Sequence, residues 1–155
     1  MNATPGGADA GFFQETAARI IADTTLDAVI YADRNGVIRL WNDAAEDLFG
    51  HSAEQAIGQS LDLIIPEKHR GAHWTGWDRV MESGKTRYGH EPLAAPGVTA
   101  AGERVSLEFS ITMLKDAEGQ IEGIAAILRD VSKRWEAERE MRKELRELKG
   151  QLKKD

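Results

Sequence analysis

Cysteine is absent from the 155 residues of this chain, and its absence excludes several classes of function. Without thiols the chain can form no disulfide, no zinc site with thiolate ligands and no cysteine nucleophile. A photosensor that bonds its chromophore through sulfur is excluded for the same reason. The lack of cysteine also favours a cytoplasmic location.

Long apolar runs and an excess of basic residues are missing as well. No run approaches the length that crosses a bilayer, and the N-terminus shows no signal-peptide pattern. Lysine and arginine number 20 against 26 aspartate and glutamate residues, so the net charge is -6 and offers no basic field for nucleic acid. We therefore expect neither a membrane nor a nucleic acid as partner.

The parts of a catalytic site are also lacking. Gly6 and Gly7 do not form a phosphate loop, no Gly-x-Ser-x-Gly motif exists, and a kinase histidine box is absent. The sequence therefore predicts that the protein is not an enzyme.

The chain divides into four segments by composition and periodicity. We predict disorder for residues 1–8, an amphipathic helix for 9–24, one folded domain for 25–131, and a charged C-terminal helix for 132–155. Residues 133–155 carry nine basic and six acidic side chains, a local charge of +3.

The central segment begins with a strong hairpin signal. Residues 28–33 and 37–42 are two strand-like runs, and Asn35-Gly36 between them is a typical tight turn. Further along, the sequence predicts a weak edge strand over 87–93 and a loop over 94–102.

Two stronger strands follow that loop. Residues 103–114 alternate between apolar and polar side chains, which indicates a strand with one buried face. Their partner, residues 121–128, is richer in apolar residues and is predicted to be the central strand of the sheet.

A single long amphipathic helix is predicted between these strand groups, over residues 65–84. His73 lies in its middle, with His69 four residues before it and Trp77 and Val80 four and seven residues after it along one inward stripe. An imidazole in an apolar pocket can coordinate an iron porphyrin. It can also be a packed, hydrogen-bonded core histidine, and the spacing alone leaves both readings open.

The C-terminal helix carries a heptad seam of four apolar residues: Met141, Leu145, Leu148 and Leu152. Three heptads are marginal as an isolated coiled coil, so a dimeric domain upstream is needed to hold them. The N-terminal helix, with Phe12 and Phe13 on its apolar face, is the candidate. We expect a homodimer through these two helices, with an effector domain or partner protein that the sequence does not identify.

Four short motifs resemble those of the PAS sensor family: residues 33–42, 48–50, 64–66 and 130–132. The resemblance covers Thr25 to Arg134. It implies an α+β fold with a five-stranded antiparallel sheet, helices on one face, a small-molecule pocket between the sheet and the long helix, and signal output through the C-terminal helix.

Within that family, residues 70–77 resemble the segment of the FixL-type oxygen sensors that carries the proximal haem histidine, and His73 falls on that residue. The resemblance favours haem b as cofactor, with His73 as a metal ligand. The implied pocket walls are Trp77, Val80, Phe109 and Ile111.

His90 lies near the position where some haem-PAS sensors place a sixth ligand, so it is a second candidate metal and cofactor ligand. The chain departs from the FixL pattern on this strand, because Pro92 and its neighbours stand where those sensors use an arginine to hold oxygen. This departure favours CO, NO or bis-histidine ligation over oxygen binding by that route.

Three alternatives remain open at the level of sequence. The domain can be a cofactor-free module for dimerisation or scaffolding, or a PAS domain that binds flavin or another small organic ligand. His69 and His73 also have the spacing of a helical metal pair, although no third ligand accompanies them at suitable spacing.

Overall fold

The computed structural model describes residues 8–86 and 91–154 of the chain. Its helices are α1 (Ala8–Asp23), α2 (Asp43–Phe49), α3 (Ala53–Ala56), α4 (Glu67–Ser83) and α5 (Ser132–Leu152), with a single 3₁₀ turn at Leu61–Leu63. Its strands are β1 (Ala28–Asp33), β2 (Ile38–Trp41), β3 (Leu93–Val98), β4 (Arg104–Lys115) and β5 (Ile121–Asp130). The segment predicted to be disordered, 1–8, lies outside the described residues except for Ala8, where α1 begins.

The five strands form one antiparallel sheet in the order β2-β1-β5-β4-β3, so β5 is central as predicted. The predicted hairpin between β1 and β2 is confirmed. The Gly36 amide donates to the Asp33 carbonyl across the turn at 2.8 Å, and Gly36 adopts a left-handed φ of 74° that favours glycine.

The prediction for the third strand was wrong. A strand was expected over 87–93 and a loop over 94–102, but β3 runs from Leu93 to Val98, and 87–90 lie outside the described residues. Pro96 stands in β3 opposite Ser106 of β4. A proline is tolerated there because β3 is an edge strand, where one side needs no ladder hydrogen bond.

The core lies between the inner face of the sheet and the helices. The alternation predicted along β4 holds, with Val105 and Leu107 turned inward and buried, and Leu128 of β5 is buried as well. Phe49 from α2 and Ile38 from β2 are the largest fully buried side chains among the described residues. One face of the sheet is therefore covered, and the space between α4 and this face is where a ligand can enter.

Asn42 is the one buried polar residue in the described part of the chain, with 4% of its surface exposed. Its Oδ1 accepts from the amides of Val29 and Ala45 at 2.9 and 3.1 Å, which ties β1 to the N-terminus of α2. Its Nδ2 donates to the carbonyls of Ile21 and Asp27, both at 3.0 Å. This one amide group therefore connects the end of α1 to the domain.

The long helix α4 begins after Pro66 and ends at Gly84, which takes a left-handed φ of 65°. Two indoles fix it to the hairpin side of the domain. Trp77 Nε1 donates to the Arg34 carbonyl at 3.1 Å, and Trp74 Nε1 donates to the Asp62 carboxylate at 2.8 Å. These two hydrogen bonds hold the N-terminal two thirds of α4 against the rest of the domain.

The C-terminal helix is joined to β4 at its first residues. The Val131 amide donates to the Ser106 carbonyl at 2.8 Å, and the Ser106 amide donates to Ser132 Oγ at 2.9 Å. Beyond this point the four seam residues of α5 are each more than half exposed, as are Phe12, Phe13 and Ile20 of α1. Among the described helices, none combines the length and apolar character needed to cross a membrane.

Candidate functional site

A cavity of about 300 Å³ lies between α4 and the inner face of the sheet. Its lining is mostly apolar, and the residues come from α4, β3, β4 and β5. The α4 side contributes Ala72, His73, Gly76, Trp77 and Val80, and the strand side contributes Leu93, Ala94, Ala95, Phe109, Ile111 and Ile124, with Thr86 between the two. Ligand pockets commonly span about 300 to 1,000 Å³, so this cavity is at the lower end of that range.

His73 contributes an imidazole to this cavity wall, and its ring contacts two indoles. The ring centroid of His73 lies 4.7 Å from that of Trp74, nearly perpendicular to it, and 5.9 Å from that of Trp77. The Nδ1 atom of His73 is buried, and no described residue gives it a hydrogen-bond partner. A buried polar atom without a partner is costly, so the site favours a group that would satisfy the imidazole.

The protonation state of His73 follows from its position. Burial lowers the pKa of the imidazole below its ordinary value of 6.5, and the Asp62 carboxylate opposes this effect only in part. The side chain is therefore neutral near pH 7. A neutral imidazole has a nitrogen lone pair available for a metal, which a protonated one lacks.

The alternative reading of a helical metal pair receives no support from the geometry. His69 lies one turn before His73, and its Nε2 is also buried without a described partner. Within residues 8–86 and 91–154, however, no group of three or more histidine, aspartate or glutamate side chains is placed to hold a metal ion.

The structure brings together five of the six residues predicted from sequence. His73, Trp77, Val80, Phe109 and Ile111 all line the one cavity. The sixth, His90, lies outside the described residues.

Sequence reasoning missed several lining residues. Ile124 was predictable, because it lies on the inward face of the strongly apolar strand 121–128. Ala94 and Ala95 were missed because residues 94–102 were predicted to be a loop, whereas β3 runs from Leu93 to Val98. Trp74 is not among the lining residues, and its indole packs against Gly36 of the hairpin turn.

A family model described as PAS fold matches residues 22–136, which is most of the chain. The chain belongs to the PAS family. Both the five-stranded sheet and the cavity behind α4 are those of a PAS sensor module.

Two curated sensor proteins are similar to parts of this PAS module. The sensor protein FixL of Bradyrhizobium diazoefficiens is 45% identical over 60 residues, covering 39% of this chain and 12% of that protein. The oxygen sensor protein DosP of Escherichia coli is 28% identical over 103 residues, covering 66% of this chain and 13% of that protein. The chain spans less than a fifth of the length of the curated relatives it matches.

A solved PAS domain from Colwellia psychrerythraea shares the fold. It superposes with a TM-score of 0.67 at 23% identity, covering 78% of this chain and 98% of that chain.

Proposed function

We propose that this PAS module binds haem b in the cavity behind α4, with His73 as the axial ligand. The observation that carries the proposal is the imidazole of His73, flanked by the indoles of Trp74 and Trp77, in the wall of an otherwise apolar cavity. The similarity to the sensor FixL and the oxygen sensor DosP supports a gas as the signal.

The chemistry of the wall fits this cofactor. A porphyrin is flat and largely apolar and needs a single strong axial donor, and the cavity offers one neutral imidazole among Trp77, Phe109 and Ile111. A flavin has a polar ring edge that needs several hydrogen-bond partners. Among the described lining residues only His73 and Thr86 have polar side chains, so the wall favours haem over flavin.

The cavity is small for a macrocycle, and this suggests how binding is relayed. Haem supplies an iron centre that binds a small gas. His73 and Trp77 lie one turn apart on α4, so a shift of this helix would reach the Arg34 carbonyl through the Trp77 indole. The Arg34 guanidinium donates to the Ile121 carbonyl at 3.0 Å, so the hairpin turn is joined in turn to the first residue of β5.

A second route runs along β4. Phe109 and Ile111 form the strand side of the cavity, and Ser106 lies three residues before Phe109 on the same strand. The backbone of Ser106 is hydrogen-bonded to Val131 and Ser132 at the start of α5. A displacement of β4 by the cofactor would therefore reach α5 directly. A ligand shifts an equilibrium between two conformations only if it contacts them differently, and the residues of the cavity wall would make those contacts.

The proposed output is a change in a homodimer. The seam of α5 exposes Met141, Leu145, Leu148 and Leu152, and a second copy of the chain would bury them in a coiled coil. A rotation or register change of that coil would pass the signal to an effector. We propose that the effector is a further domain or a partner protein, because the curated relatives are several times longer than this chain.

Hemin titration tests the cofactor proposal. Added to the purified protein, hemin should give a saturable Soret band with one haem per chain, and His73→Leu should weaken binding by at least about tenfold, since each tenfold is about 1.4 kcal/mol. His69→Leu, one turn earlier on α4, is the matched control and should bind like the wild type. A protein that stays free of hemin, or a His73→Leu variant that binds equally well, would favour the cofactor-free scaffold.

A further inference from the structure

A second cleft is formed by residues of β3, β4 and α5. It has a volume of about 280 Å³ and is formed where α5 leaves the sheet. Its lining residues are Ala94, Ala95, Pro96, Arg104, Ser106, Leu107, Trp135 and Arg139. Apart from Ala94 and Ala95, none of them lines the cavity behind α4.

The polar side chains of this cleft are all hydrogen-bond donors. Arg104 and Ser106 alternate along β4 with the buried Val105 and Leu107, so they lie on the solvent face of the sheet. Trp135 and Arg139 are four residues apart on α5 and share one face of that helix. No carboxylate lines the cleft.

The side-chain donors of Arg104, Trp135 and Arg139 also lack partners among the described residues. Within the part of the chain that the structure describes, neither Arg104 nor Arg139 forms an ion pair, and the indole N–H of Trp135 donates to no acceptor. The carboxylates of Glu108 and Glu138 both form ion pairs with Arg134. The two guanidinium groups at the cleft therefore have no internal counter-charge.

From this arrangement we infer that the cleft binds a small oxyanion, a phosphate- or carboxylate-bearing molecule, between Arg104 and Arg139. Guanidinium groups hold both kinds of oxyanion through paired charge-assisted hydrogen bonds. Trp135, with 37% of its surface exposed, offers an apolar ring and an N–H donor to the rest of the ligand.

Such a ligand would couple the sheet to the output helix. Arg104 belongs to β4 and Arg139 to the second turn of α5, so one oxyanion shared by both would tie α5 to the sheet. The first turns of α5 would then exchange their amide hydrogens more slowly. This effect does not require haem, so the site can be tested on hemin-free protein and its failure is separate from failure of the haem proposal.

Fluorescence titration with inorganic pyrophosphate and with benzoate, at an ionic strength held constant with sodium chloride, tests the inference. The emission of Trp135 should change saturably, and Trp135→Phe should remove that signal. Arg104→Gln and Arg139→Gln should each weaken binding by about tenfold, whereas Arg146→Gln, an exposed arginine of α5 outside the cleft, should leave it within about twofold. The probe that binds more tightly identifies phosphate or carboxylate as the preferred group.

Three results would overturn the inference. The first is the absence of saturable change with either probe, and the second is equal binding by wild type, Arg104→Gln and Arg139→Gln. The third is equal weakening by Arg146→Gln, which would indicate general charge screening. Hydrogen exchange adds an independent measurement: pyrophosphate or benzoate should slow exchange over residues 132–139 in the wild type and not in Arg139→Gln.

Discussion

His73 is the side chain on which the proposed function depends, and its environment combines burial, two neighbouring indoles and a nitrogen without a described partner. Sequence spacing placed this residue on the inward stripe of a helix. It could not give the protonation state, because that depends on burial by distant residues and on Asp62, which lies in a separate turn.

Burial of His73 predicts a specific loss of stability in mild acid. Its folded pKa lies below the unfolded value of 6.5, so the unfolded chain binds more protons in the interval between them. The stabilising contribution of the neutral form is complete above that value and is lost as the pH falls toward the folded pKa. We expect the free energy of unfolding of the hemin-free wild type to fall between about pH 7.5 and about pH 5.5, and to fall less in His73→Leu.

Urea denaturation at the two pH values measures this difference. His51→Gln is the control and should retain the pH dependence of the wild type. If His73→Leu loses as much stability in acid as the wild type, His73 is not the neutral buried group described above.

Asn42 is the second residue with a large predicted effect. Replacing it with alanine removes the N-cap of α2 and takes away the side-chain partner of the half-buried Val29 amide and of two carbonyls. We expect Asn42→Ala to lower the free energy of unfolding by roughly 2 to 4 kcal/mol. Asn35→Ala, on the exposed hairpin turn, should change it by less than about 0.5 kcal/mol. Equal effects of the two substitutions in urea denaturation would contradict this role.

At the scale of elements, the contact between α4 and the β1–β2 turn is set by one glycine. A Cβ on Gly36 would lie 2.3 Å from Cη2 of Trp74, whereas a Cβ on Gly58 would have no neighbour within 4 Å. Both glycines have positive φ, at 74° and 93°, so both pay the same kind of backbone cost on substitution. Only Gly36 is also crowded by the helix.

We therefore expect Gly36→Ala to destabilise the domain by at least about 1 kcal/mol more than Gly58→Ala, because overpacking adds to the backbone cost. Thermal or urea unfolding of the two variants measures the difference. In a Trp74→Ala background the excess should largely disappear. An excess that persists without the indole would show that the clash is not its cause.

At this scale, elements that depend on local sequence signals were predicted correctly, whereas an element that depends on pairing with a distant strand was not. Asn35-Gly36 and the alternation along β4 are local signals, and both predicted elements are present. Residues 94–98 contain Pro96 and Gly97 and have no alternation, so only pairing with β4 makes them a strand. The role of Asn42 was likewise not predictable, because its partners lie up to 21 residues away along the chain.

At the scale of the whole molecule, the exposed seam of α5 predicts self-association. A double substitution, Leu145→Glu with Leu148→Glu, would place charges in the proposed coiled coil and should weaken the dimer by at least about tenfold. Sedimentation equilibrium measures the dissociation constant. Lys143→Glu, on the same helix but outside the seam, is the control and should dimerise like the wild type. A wild type that remains monomeric at high concentration would contradict the proposed output.

The PAS module as a whole has two cavities that share β3 and β4, and each is the place of one proposed site. The cavity behind α4 contacts β4 through Phe109 and Ile111, and the outer cleft contacts the same strand through Arg104 and Ser106. Since Ser106 is hydrogen-bonded to Val131 and Ser132 at the start of α5, ligands at both proposed sites would act on the start of that helix.

The most direct test of the central claim is ligand rescue at residue 73. Hemin-loaded His73→Gly should lose the Soret band of the wild type, and free imidazole should restore it by entering the space the side chain vacates, while His90→Gly reports separately on a sixth ligand. The account predicts restoration in His73→Gly alone. A His73→Gly spectrum identical to that of the wild type, unchanged by imidazole, would contradict it.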